Sequence, residues 1–183
     1  MSLCLSHQFL IAMPALADTN FAGTVTYLCQ HDANGALGIV INRLAPLDLR
    51  AVLTHLKLPY TRSDESPVFI GGPMDPQIGF VLHDVIDGYD LSVDLGNELM
   101  LSTARDMLAA IGEGNGPRRF LIALGYAGWG PGQLEIEIAE NAWLTCPATS
   151  EVLFEVPPEQ RVHRAAAVLG IDFNLINAQP GYA

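Results

Sequence analysis

Three sets of residues in this chain have the types and spacing from which chemistry is made. The densest is Gly125-Tyr-Ala-Gly-Trp-Gly-Pro-Gly-Gln-Leu-Glu135, in which four glycines and a proline surround two aromatic rings. So much permissive backbone is expected where a chain turns at positive φ or lets something approach closely. One reading makes Gly128, Gly130 and Gly132 an anion cradle at the start of a helix beginning at Gln133, flanked by Tyr126 and Trp129, with Glu135 beside it. The competing structural reading is a tight turn whose glycines let Trp129 pack inward. The spacing is neither a Walker A loop, which needs Lys followed by Ser or Thr, nor the G-x-G-x-x-G dinucleotide fingerprint.

The second set is Cys29 and His31. Two residues apart on a strand, they point to the same face, and an imidazolium there would favour the reactive thiolate. Cys29 is therefore the redox candidate. The alternative makes it a small buried hydrophobe, with His31 serving the Asn34-Gly35 turn. The third set, His31, His83, Asp84, Glu135 and Glu137, contains metal-ligand types. No pair among them has the H-x-x-x-H or H-E-x-x-H spacing, so no metal and no cofactor is expected. Glu135 and Glu137 lie two apart on a helix and diverge, which assigns at least one to a solvated face. No G-x-S-x-G elbow is present, and Ser102-Thr103 reads as a helix cap rather than a nucleophile. A site built from these residues requires Tyr126, Trp129, Gln133, His31 and His83 to converge on one concave surface.

The chain that must position them has 183 residues, half hydrophobic and 16% charged. That length and composition predict a single packed domain over 1–183. Twenty acidic residues against nine basic ones give a net charge of -11. Phosphate backbones are repelled by such a surface, so direct nucleic-acid binding is not expected, and an unknown protein or small molecule is the expected partner. Cys4, Cys29 and Cys146 are odd in number and widely spaced, which fits a reducing, cytoplasmic compartment better than a disulfide framework. Leu3 to Ala17 imitates a secretory signal, but no Lys or Arg precedes Arg43 and Pro14 interrupts the apolar run. No apolar run is long enough to span a membrane.

Periodicity supplies the elements. Phe9–Met13 and Thr24–Cys29 read as strands, and Asn34-Gly35 as a hairpin turn leading into the strand 36–42. Asp48 caps a helix to about Leu58, with Leu49, Val52, Leu53 and Leu56 facing the core. Pro67–Ile70, Ile78–His83, Leu91–Val93 and Leu99–Leu101 are further strands. A helix with Met107, Leu108 and Ile111 on one face follows Thr103 and Asp106, read as a capping box, and ends at Gly112 and Gly114. Phe120–Tyr126 is a strand buried on both faces, Gln133–Asn141 a helix, Trp143-Leu144 a strand, and Glu159–Leu169 a last helix closed by Gly170. Irregular alternation of strands and helices predicts an α+β fold.

Several of these segments together resemble one family, the AlgH/YqgE proteins of bacteria. They are Phe9-Leu-Ile-Ala-Met-Pro14 with Asp18-Thr-Asn-Phe21, Val25–His31 with Gly35–Asn42, Gly71-Gly-Pro73, Gly79-Phe-Val-Leu-His83, and the glycine-rich stretch 125–135. Val162 and Tyr182 depart from the pattern. The resemblance implies a compact α+β domain around a bifurcated, partly coiled, mainly antiparallel sheet, in a cytosolic bacterial protein. Some members have been called transcriptional regulators, but the resemblance supplies no activity. The favoured expectation is a non-catalytic regulatory or binding module. The alternatives are a thiol sensor using Cys29, or an enzyme holding an anion at 125–132.

Overall fold

In the first strand, β1 (Gln8–Ala12), Phe9 and Ile11 belong to one apolar cluster and Leu10 and Ala12 to another, so the sheet is covered on both faces. The computed structural model describes residues 4–103 and 105–177, and Tyr182 lies outside them. After β1 come β2 (Val25–Asp32) and β3 (Gly35–Val40), joined at Asn34-Gly35 as expected. The chain continues with β4 (Leu44–Asp48), α1 (Leu49–His55), β5 (Pro67–Ile70), β6 (Met74–Asp84), β7 (Ser92–Gly96), β8 (Leu99–Ser102) and α2 (Arg105–Glu113). Then follow β9 (Phe120–Trp129), α3 (Gln133–Ala139), β10 (Trp143–Pro147), a π-helical turn at Glu151–Glu155, a 3-10 turn at Pro158–Gln160, α4 (Arg161–Ala167) and α5 (Phe173–Asn177).

The strands form one curled, mainly antiparallel sheet in the order β10-β1-β2-β3-β9-β6-β8-β7, with β4 and β5 branching from it. The branch is at β9. One edge of β9 pairs with β6, while the other pairs with β3 near Trp129 and, in parallel, with β5 around Ala123. Backbones crowd at this fork. Gly125 adopts φ +72 there, and a Cβ on Gly72 would lie 2.1 Å from the Tyr126 carbonyl carbon, so only glycine fits.

Three apolar clusters fix the layers. The inner face of the curl holds Phe9, Tyr27, Ile39, Phe69, Leu82 and Leu121 with Val162 and Ala165 of α4. On the outer face, one half packs Leu10, Leu28 and Trp129 beneath Leu134 of α3. The other half packs Val68, Val81 and Ile122 beneath Leu49 and Leu53 of α1 and Met107, Leu108 and Ile111 of α2.

The differences from the sequence expectations have local causes. Helix α1 stops at His55 instead of Leu58, because Lys57 turns left-handed at φ 55 and Leu58 N–H bonds back to the Leu53 carbonyl. Its start is as expected, with Asp48 accepting from Ala51 N–H at 2.8 Å. Gly112 lies inside α2, where a Cβ would meet the Pro59 carbonyl at 2.4 Å, and the helix ends at Gly114 instead. Strand β9 runs to Trp129, so Tyr126, Gly128 and Trp129 are strand residues and only 130–132 connect to α3. The segment read as one last helix is a 3-10 turn followed by α4, and α5 comes after it.

Candidate functional site

The sequence directed attention to the surroundings of Trp129, and the fold brings several of those residues together there. Trp129, Trp143 and Phe21 form an aromatic knot, with Phe21 stacked on Trp129 at 6.0 Å and Trp143 edge-on to both. Both indole N–H groups donate to one oxygen of Glu137, Trp129 at 2.9 Å and Trp143 at 2.8 Å. The other carboxylate oxygen accepts from Gln133 Nε2 at 2.9 Å, and Gln133 Oε1 accepts from Gly130 N–H at 3.0 Å. Residues 133 and 137 are four apart and share a helix face, which is what lets this chain of bonds close.

His31 joins the same neighbourhood from β2. Its Nδ1 accepts from Leu5 N–H at 3.1 Å, so the proton sits on Nε2, which donates to Glu135 at 3.0 Å. Glu135 and Glu137 thus diverge as expected, yet each has a specific partner: Glu135 ties α3 to β2, and Glu137 ties it to two indoles. The amide at Gly130 that an anion would need is already satisfied. Gly132 caps α3 in the left-handed region at φ 73, and Gln133 N–H bonds to the Gly130 carbonyl. Trp129 is 6% exposed, as the inward-packing reading requires.

Tyr126 and His83 lie elsewhere. Tyr126 is three positions from Trp129 on β9 and therefore faces the other side, where its ring meets Phe80 edge-on at 5.6 Å. His83 pairs with Phe120 at the opposite end of β9, about 30 Å of extended chain from Trp129. There its Nδ1 donates to the Asp84 carbonyl at 2.7 Å and its Nε2 accepts from Ser102 Oγ at 2.6 Å. Burial holds the His83 imidazole below its ordinary value. Ser102 is thus a strand residue engaged with His83 and Ser92, not a helix cap.

Cys29 and His31 do not share a face. The β2–β3 register shifts between Leu28 and Gln30, making Cys29 the extra residue of a bulge. A bulge reverses the alternation beyond it. Cys29 consequently packs into the inner core beside Tyr27, whereas His31 turns toward Glu135 on the outer face. Burial pushes the Cys29 thiol well up, and the Cys146 thiol up to about 11. Cys4 is exposed, and hydrogen bonds from Ser6 hold its thiol below the ordinary value. No group of three or more His, Cys, Asp or Glu is placed to hold a metal ion among the described residues.

A second place was not selected from the sequence. Between α1, α2 and β6 lies a cleft of about 600 Å³, lined by apolar Leu47, Val52, Leu56, Ile78, Leu108 and Leu124, with Gly79 among them and polar His55, Gln77, Thr103 and Arg105. Its origin is a shortage of side chain. Ile78 stays 38% exposed on β6, and a Cβ built on Gly79 meets nothing closer than Leu108 Cδ1 at 3.9 Å. Arg105 donates to the Leu56 carbonyl at the end of α1, which holds its guanidinium at the cleft. The available signal was Gly79 itself, a glycine inside an otherwise apolar strand run, where it weakens the strand without an evident turn to make.

Comparisons with known proteins agree with this architecture. The AlgH-like family model matches residues 9–174. The UPF0301 protein AlgH of Pseudomonas aeruginosa is 52% identical over 182 residues, covering 98% of this chain and 96% of that one. A UPF0301 protein of Nitrosococcus oceani is 49% identical over 179 residues, covering 97% and 96%. The solution structure of the Pseudomonas aeruginosa AlgH protein superposes with TM-score 0.83 at 50% identity, covering 100% of this chain and 98% of that chain. The crystal structure of protein DIP2367 from Corynebacterium diphtheriae, at TM-score 0.68, 21% identity and coverage of 89% and 87%, shares the fold.

Proposed function

The chain belongs to the AlgH-like family, and from that premise we propose that it is a non-catalytic, cytoplasmic binding module whose ligand is a small organic molecule with an apolar body, held between α1, α2 and β6. The observation that carries this reading is the cleft of about 600 Å³. Its volume falls within the roughly 300–1,000 Å³ typical of small-molecule sites, and its apolar wall with a few polar groups is the usual composition of such sites. The Trp129 neighbourhood supports the assignment by contrast. Its polar groups are bonded to one another, and it offers a ligand no free donor at Gly130. Regulation by this protein would operate through occupancy of the cleft, read by a partner. Direct contact with nucleic acid forms no part of the proposal, because a net charge of -11 repels phosphate.

Titration with Nile red, an uncharged dye whose emission rises in apolar surroundings, tests the reading. Saturable binding at one site per chain, lost in Gly79→Leu, is the expected result. Binding that is absent, or that persists unchanged when the cleft is filled, would overturn it.

A further inference from the structure

Building on the cleft reading above, we infer that the ligand is an amphipathic carboxylate of the medium-chain fatty-acid class, its chain over Gly79 and its head group at Arg105. The chain carries 20 acidic residues, yet none lines this cleft. Arg62, Arg119 and Arg164 are each paired with a carboxylate, to Asp64, Asp84 and Glu151 respectively. Arg105, like Arg43 and Arg161, forms no such pair among the described residues and is bonded to a backbone carbonyl instead, and of these three it is the one that lines the cleft. It therefore presents a fixed positive charge with donors to spare at the edge of an apolar trough. An arginine fork matches a planar carboxylate in two parallel hydrogen bonds.

The balance of charge favours a carboxylate over a phosphate head. One fixed cation offsets one negative charge, whereas a phosphate monoester brings about -1.5 to -2 into a protein already at -11. The apolar tail is argued separately, from Gly79. Its backbone needs no glycine, since no close neighbour would meet a Cβ and its φ is not positive. A glycine in a strand often marks where another group approaches closely. Here the space it leaves opens onto Ile78, Leu108 and Leu124.

Displacement of Nile red by decanoate, decanol and decyl phosphate, each below its micelle-forming concentration, tests the inference. On the native protein decanoate should bind at least about tenfold more tightly than decanol. Arg105→Gln should remove that advantage and leave decanol unchanged. Gly79→Leu should abolish both, and Ile78→Asp, at an exposed position, should repel decanoate even if the leucine variant folds poorly. Equal binding of decanoate and decanol, a preference that survives Arg105→Gln, or tighter binding of decyl phosphate would overturn the carboxylate assignment while leaving the cleft reading intact. Failure of Nile red itself to bind would overturn both. Sedimentation of the same samples covers the remaining occupant: a native dimer that becomes monomeric in Gly79→Leu would assign the cleft to a second copy and overturn the inference.

Discussion

The outer face of the sheet is covered twice, and the two covers are built on opposite principles. Over the β1–β2–β3 half, α3 is only seven residues long, but its Glu137 and Glu135 each bond to specific partners across the joint, while Gln133 links Glu137 to the Gly130 N–H. Over the β5–β6 half, α1 and α2 bury Leu49, Leu53, Met107 and Ile111 completely, yet they leave a trough along Ile78 and Gly79. The first cover is closed by polar bonds to two tryptophans; the second is apolar and unfinished. The difference shows that a concentration of glycine and tryptophan can mark a well-made joint, while a site can lie where side chains are too few.

The strongest way to break this comparison is to open the closed half. Trp129→Ala should cost about 3–5 kcal/mol, the usual loss for a buried aromatic, measured by denaturant unfolding. A loss under about 1 kcal/mol would mean that the knot is not closed. Glu137→Leu should cost about 2 kcal/mol or more, because it strands two nearly buried indole N–H groups at about 1–3 kcal/mol each. Glu137→Gln, which keeps one accepting oxygen, should recover part of that loss.

Glycine substitutions sharpen the comparison at smaller cost. Gly125→Ala should destabilise by about 1–2 kcal/mol from its left-handed backbone alone, and by more because its Cβ would lie 2.6 Å from the Gly72 carbonyl oxygen. Gly79→Ala should instead be neutral or stabilising by about 0.5 kcal/mol, since the strand gains a side chain without a clash. If both alanine variants lose stability equally, the cleft is not open. The smallest effect is on covalent labelling, which leaves the fold intact: at neutral pH iodoacetamide should modify the exposed Cys4 first and the two buried cysteines far more slowly, with Cys29 last because burial raises its thiol further than that of Cys146. Rapid labelling of Cys29 would restore it as a reactive thiol.

Much of the fold was legible because it depends on local rules. The Asn34-Gly35 hairpin, the Asp48 cap, the two-sided apolar run at 120–126 and the α+β class follow from turn chemistry and periodicity. The neighbourhood of Trp129 was legible only in part. Trp129, Gln133, Glu135 and His31 do meet, but the phase of β2 could not be read, since nothing in Tyr27-Leu-Cys-Gln-His31 announces the bulge that sends Cys29 inward and His31 outward. Likewise, the stripe on α1 gave Val52 and Leu56 the same standing as Leu49 and Leu53. Only the placement of α2 and β6 leaves the first pair half-buried beside the cleft.

The sequence by itself therefore determined the elements, the family, the net charge and the burial of most apolar positions, because these rest on spacing along the chain and on composition. Tertiary structure alone decided that Glu137 would bind two indoles six and eight residues away, that His83 would lie at the far end of β9, and that Arg105 would face an apolar trough without an acidic partner. Such pairings depend on strand register, on the fork at β9 and on how far one helix stands from its neighbour. Those quantities are set by the packing of distant segments against one another, and a one-residue shift in a strand would have turned that strand's side chains to the opposite face.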